Sequence, residues 1–124
     1  MLFSLFPQKE RTVGMAYTLR LKHHFESAHR LEGYNGPCGN LHGHRWVVEV
    51  IVATDTLKND MVVDFERIKE VVNELDHQNL NDIVNFNPTA ENLARYLKER
   101  VDRETGLNSE ITLWETPNAS ITYK

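Results

Sequence analysis

HGHRWVVEVIVAT, residues 42–54, decides the fold. His42, His44, Trp46, Val48, Val50 and Val52 take alternate positions, and period two means a half-buried strand with these six side chains on one face. The stretch before it, EGYNGPCGNL (32–41), holds Gly33, Gly36, Pro37 and Gly39 and is a loop by composition. Upstream of that loop the alternation returns. Tyr17, Leu19, Leu21 and Phe25 fall on one face, and Thr18, Arg20, Lys22 and Glu26 on the other. Two consecutive strands joined by a short loop are expected to pair.

Downstream, Lys58-Asn59-Asp60 reads as a turn and Asp64 as a helix cap. Phe65, Ile68, Val71, Val72 and Leu75 follow at helical spacing. The segment DHQNLNDIVNFNP (76–88) reads as a loop. Pro88-Thr89 opens a second helix, striped by Ala90, Leu93, Ala94, Leu97 and Val101 and stopped by Gly106. Short strands near Glu110–Glu115 and Ser120–Tyr123 close the chain around a Pro117-Asn118 turn. The order β-β-α-α-β-β groups strands and helices, which predicts an α+β fold with an antiparallel sheet. Both helices would cover one face and leave the other for a partner subunit.

The 124 residues suit one domain, and the 40% apolar and 26% charged fractions exclude a disordered chain. The expected division is an N-terminal extension over 1–15 and a single domain over 16–124. A net charge of −4 argues against a nucleic-acid binder. Cys38 is the one cysteine, so no internal disulfide can form. The N-terminal MLFSLFPQKER has an apolar run that stops at Phe6 before Pro7, too short for a signal segment, and no stretch is long enough for a membrane span. The default expectation is a cytoplasmic protein.

His42 and His44, two apart on a strand, point the same way and can reach one ion. His29 ends the first strand on its apolar face, and pairing of the two strands brings it near them. Three imidazoles with an open fourth position make a catalytic zinc site. His23 and His24, in mid-strand, read as non-ligands. Cys38 lies four residues before His42 and can be a fourth ligand, a general base or an inert thiol. Asp76-His77 can be an oriented acid–base pair or an ordinary helix end. Glu115 can accept hydrogen bonds from a guanidine-like ring edge or be a surface strand end. Thr89 and Glu91 are explained by helix capping and the helix dipole.

Together FESAH (25–29), CGNLHGH (38–44), DF (64–65), DHQNLN (76–81), PTAEN (88–92) and WET (114–116) resemble the 6-pyruvoyl-tetrahydropterin synthase family. The three residues between Cys38 and His42 are most like its 6-carboxy-5,6,7,8-tetrahydropterin synthase branch, in queuosine biosynthesis. The resemblance implies the tunnelling fold. A four-stranded antiparallel sheet would carry two helices on one face and join edge to edge into an oligomeric barrel, commonly a homohexamer of stacked trimers. It implies active sites at subunit interfaces, Zn2+ on His29, His42 and His44, Cys38 as general base, and Asp76 and His77 as a proton relay. Glu115 would anchor the pterin, and Thr89 would help line its pocket. The implied substrate is 7,8-dihydroneopterin triphosphate, with zinc on its side-chain oxygens and 6-carboxytetrahydropterin, acetaldehyde and triphosphate as products. The alternatives are pyruvoyl-tetrahydropterin formation from the same substrate, a closed non-catalytic zinc module with Cys38 as fourth ligand, and a generic zinc hydrolase. The triphosphate-binding groups are not identified; Arg20, Lys22, His24 and Arg30 lie on the strand face away from the core.

Overall fold

The computed structural model describes residues 15–124, so the expected extension, Met15 apart, lies outside the described residues. Four strands form one antiparallel sheet in chain order: β1 (Tyr17–His29), β2 (His42–Thr54), β3 (Ser109–Thr116) and β4 (Ala119–Tyr123). Between β2 and β3 run α1 (Phe65–Asn73), α2 (Leu80–Ile83) and α3 (Ala90–Thr105). The expected α+β tunnelling-fold architecture is present, with the sheet unclosed in the single chain.

The register of β1 on β2 follows from their alternation. Phe25 faces Trp46 and His29 faces His42, so two apolar rows share one side. The Phe25 and Trp46 rings stack with centroids 5.7 Å apart. Onto these rows α1 brings Ile68, Val71 and Val72, and α3 brings Leu93, Leu97 and Val101, all buried. Each such side chain contributes about 1.5–3 kcal/mol by leaving water. Asp64 caps α1 by accepting from the Glu66 amide at 3.0 Å, Thr89 caps α3 through the Asn92 amide at 3.1 Å, and Gly106 ends α3 in the left-handed region at φ 73°.

The segment 76–88 corrects the sequence reading. It contains α2, a single turn capped by Asn79 and anchored by the buried Leu80. One turn is too short to show a helical period. Its surroundings run along the outer edge of β1. The Asp76 carboxylate accepts from the Glu26 amide at 2.8 Å, and the His77 amide donates to the Glu26 carbonyl at 2.7 Å. The Ala28 amide donates to the Gln78 carbonyl at 3.0 Å. Asn81 grips both backbone groups of Arg30, at 2.8 and 3.0 Å, and Asn87 both of Glu32, at 2.9 and 3.4 Å. These side-chain amides satisfy backbone groups that a further strand would otherwise take.

Candidate metal centre

The three histidines meet where β1 and β2 end on their loop. The His29 and His42 rings lie 4.6 Å apart, His29 and His44 5.2 Å, and His42 and His44 4.8 Å. Each presents Nε2 inward, and all three Nε2 atoms are buried with no hydrogen-bond partner. Uncompensated buried nitrogens are costly, so such a convergence is the mark of a site built for an ion. Two of the outer nitrogens are held. His29 Nδ1 donates to the Pro88 carbonyl at 2.7 Å, and His42 Nδ1 to the Asn40 carbonyl at 2.7 Å. That fixes the tautomer with the Nε2 lone pair facing the centre. Trp46 packs edge-on against His29 and His44, at 4.9 and 5.2 Å between centroids, and limits their rotation.

Glu115 joins this group. Its Oε1 lies 3.0 Å from His44 Nε2 and 3.4 Å from His29 Nε2, close enough for ion pairing but without hydrogen-bond direction. The four ligand atoms lie within 4.8 Å of one another, and the set can hold a metal. Burial, opposed by Glu115 and reinforced by His29 and His42, holds His44 below the ordinary imidazole pKa, in the neutral form a metal requires. The closeness of Glu115 to the histidines was missed in the sequence. Its parity with the buried Ile111 and Leu113 is the signal that points it to their face. The β3–β4 register shifts between Trp114 and Thr116, and such a bulge re-aims the residue it contains.

Cys38 lies outside that four-group set. It is half-buried in a single 3-10 turn, Pro37–Gly39, at the same end of the sheet. Its carbonyl accepts from the Leu31 amide at 2.9 Å. A Cβ on Gly39 would come within 2.7 Å of the Tyr34 carbonyl oxygen, so the turn holding the thiol needs glycine there. Asp76 and His77 form a pair, with His77 Nδ1 donating to Asp76 Oδ2 at 2.7 Å. Bonds from the Glu26 amide and from His77 lower the Asp76 pKa, and the Asp76 bond raises that of His77. The pair sits on the outer edge of β1, beside Glu26. Thr89 serves as the α3 cap and lies next to Pro88, the partner of His29. His23 Nε2 is engaged with Asn73 Oδ1 at 2.8 Å, apart from the centre.

Residues 18–124 match the 6-pyruvoyl tetrahydropterin synthase family. The chain belongs to that family. A solved 6-pyruvoyl tetrahydropterin synthase of Caenorhabditis elegans superposes with a TM-score of 0.73 at 29% identity, covering 91% of this chain and 99% of that one. Among curated relatives, a 6-carboxy-5,6,7,8-tetrahydropterin synthase of Haemophilus influenzae is 31% identical over 81% of this chain and 93% of its own length. A dihydroneopterin monophosphate aldolase of Pyrococcus furiosus is 37% identical over 73% of this chain and 82% of its own length. This 6-pyruvoyl tetrahydropterin synthase family member is thus an enzyme of pterin chemistry by kinship, with a metal-competent His3Glu group. Among its described residues no helix is long and apolar enough to cross a membrane.

Proposed function

We propose that the chain is a zinc-dependent 6-carboxy-5,6,7,8-tetrahydropterin synthase, converting 7,8-dihydroneopterin triphosphate to 6-carboxytetrahydropterin, acetaldehyde and triphosphate. The observation that carries the proposal is the convergence of three buried imidazole nitrogens that no hydrogen bond satisfies. The curated 6-carboxy relative and the short Cys38–His42 spacing favour this branch. His29, His42 and His44 hold the ion, which when bound supplies Lewis-acid polarisation of the substrate's side-chain oxygens.

The remaining work falls to the chain's own groups. Cys38 is the base that takes a proton from a side-chain carbon. Asp76 orients His77 and keeps it protonated to higher pH, which suits a proton donor. Glu115 binds the pterin's guanidine-like edge, leaving its contact with the histidines when substrate is present. Thr89 borders the pterin pocket. The resemblance puts the active site at a subunit interface of a homo-oligomer, and the position of Asp76-His77 on the β1 edge supports a site completed by a neighbouring chain.

The aldolase kinship favours a second reading, carbon–carbon cleavage of a pterin monophosphate. One assay separates the readings. The zinc-loaded protein is incubated with dihydroneopterin triphosphate, and separately with the monophosphate, and the products are identified by mass. Carboxypterin and acetaldehyde from the triphosphate are expected. Triphosphate release without them would move the chain to the pyruvoyl branch, and turnover of the monophosphate alone to the aldolase reading. Cys38→Ala tests the structural-module alternative. Retained zinc with lost turnover is expected, since Cys38 lies outside the group of side chains that can hold the ion; lost zinc and fold would favour a closed site.

A further inference from the structure

His77, in the turn after α1, holds a φ of 56°, a left-handed backbone that side chains disfavour and that persists where surrounding bonds over-determine it. Those bonds come from three consecutive residues of β1. The Glu26 amide donates to Asp76 Oδ1, the Glu26 carbonyl accepts from the His77 amide, and the Ala28 amide donates to the Gln78 carbonyl. Between them Ser27 adds its side chain. Its hydroxyl donates to the Leu75 carbonyl and accepts from the Gln78 amide at 3.1 Å. Leu75 and Gln78 flank the Asp76-His77 pair, so one buried hydroxyl closes the turn at both ends. The Ser27 carbonyl accepts from Trp46 Nε1 at 3.2 Å, and Trp46 packs against His29 and His44. Ser27 therefore touches the support of the metal centre with its backbone and the acid–base turn with its side chain. The His77 side chain is 78% exposed, so packing does little to fix its ring. Its position depends on the backbone of its turn and on the Asp76 bond.

We infer that Ser27 is the positioning residue of the acid–base pair: its hydroxyl, locked between Leu75 and Gln78, sets where Asp76 and His77 stand relative to the end of β1 that carries His29. The inference rests on the proton-relay reading of that pair and deepens it. A serine hydroxyl can donate to a carbonyl and accept from an amide at once. An alanine there leaves both backbone groups without that partner, and the turn relaxes away from the left-handed His77. The bond between Asp76 and His77 loosens with it. Asp76 on the turn and Glu26 on β1 face His77, and His24 on β1 faces Asp76. All of these charges stay in place when Ser27 is replaced, so only the geometry of the pair changes.

Ser27→Ala in the zinc-loaded protein is the test. The His77 imidazole titration, followed by NMR, should move down toward the ordinary histidine value. Turnover should fall about tenfold, a part of what a positioned acid supplies, and the high-pH limb of the kcat profile should shift to lower pH with the titration. Bound zinc should be unchanged, since the Ser27 carbonyl still meets Trp46. Thr105→Ala is the comparison. The Thr105 hydroxyl also bridges two backbone groups, donating to the Val101 carbonyl at 2.8 Å and accepting from the Leu107 amide at 3.2 Å at the end of α3. Its loss should leave the His77 titration and the kcat profile where they were. In the unaltered protein the Gln78 amide should resist hydrogen exchange, a measurement independent of any variant's folding. An unprotected Gln78 amide, an unmoved His77 titration in Ser27→Ala, the same movement in Thr105→Ala, or loss of zinc from Ser27→Ala overturns the inference. A moved titration with unaltered turnover would overturn the relay reading alone, and lost turnover with an unmoved titration would overturn the positioning role alone.

Discussion

His42 opens β2 half-buried, with Nδ1 tied to the Asn40 carbonyl and Nε2 facing His29 and His44. It carries little of the core, so its replacement isolates the ligand role. His42→Ala should lower bound zinc from about one per chain to a small fraction, as metal analysis after desalting would show, with the far-ultraviolet circular dichroism unchanged. Retention of full zinc would remove His42 from the site. At Asp76-His77 the same scale gives a titration. The Asp76 bond raises the His77 pKa, so its contribution to stability is complete below the unfolded histidine pKa and is lost as pH rises through the folded value. The lowered Asp76 contributes above its unfolded pKa, and that is lost as pH falls through the folded value. Asp76→Asn should bring the His77 imidazole titration, followed by NMR, down toward the ordinary histidine value.

At the level of elements, the end of α3 is bound to the start of β3 by one cluster. Lys98 Nζ donates to Asp102 Oδ2 at 2.7 Å, to Asn108 Oδ1 at 2.7 Å and to the Ser109 carbonyl at 2.6 Å. Asp102 Oδ1 accepts from the Ser109 amide at 2.8 Å and hydroxyl at 2.7 Å. Burial opposes ionisation of Asp102, but the bonds from Lys98 and Ser109 outweigh it and lower its pKa. The cluster therefore stabilises the fold above the unfolded aspartate pKa and weakens as pH falls through the folded one. Asp102→Asn should cost about 1–3 kcal/mol in urea unfolding at neutral pH, and the difference from the unaltered chain should shrink in acid. The same cluster fixes where β3 begins, and so where Glu115 stands opposite the histidines.

Over the whole molecule, the sheet has two edges, β1 and β4, and they are not alike. The β1 edge from Glu26 onward, with Arg30 and Glu32 just after the strand, is taken by the 76–87 segment. By the alternation of an antiparallel ladder, the outward amides that remain on β1 belong to Thr18, Arg20, Lys22 and His24. If chains join edge to edge as proposed, the first half of β1 is the stretch of this edge left to take a neighbour's strand. Arg20→Pro removes one outward amide that takes no hydrogen bond among the described residues. Sedimentation velocity should show the unaltered protein as an oligomer of hexamer size and the variant shifted toward monomer, with the intrachain sheet retained. An unaltered protein that sediments as a monomer would remove the interface reading of the active site.

Alternation in residues 17–29 and 42–54, the caps Asp64 and Thr89, and the stop at Gly106 are local signals, and local sterics and hydrogen bonding carried them unchanged into strands and helices. His29, His42 and His44 were legible for the same reason, since strand parity and one hairpin pairing suffice to bring them together. Glu115 beside those histidines, Pro88 behind His29, and the clipping of the β1 edge and the residues after it by Asp76, Asn81 and Asn87 depend on contacts between residues about 50 to 90 positions apart, which no local period encodes. Only the tertiary register of β2 on β3, and the path of the 76–88 segment along β1, settled which polar groups face one another.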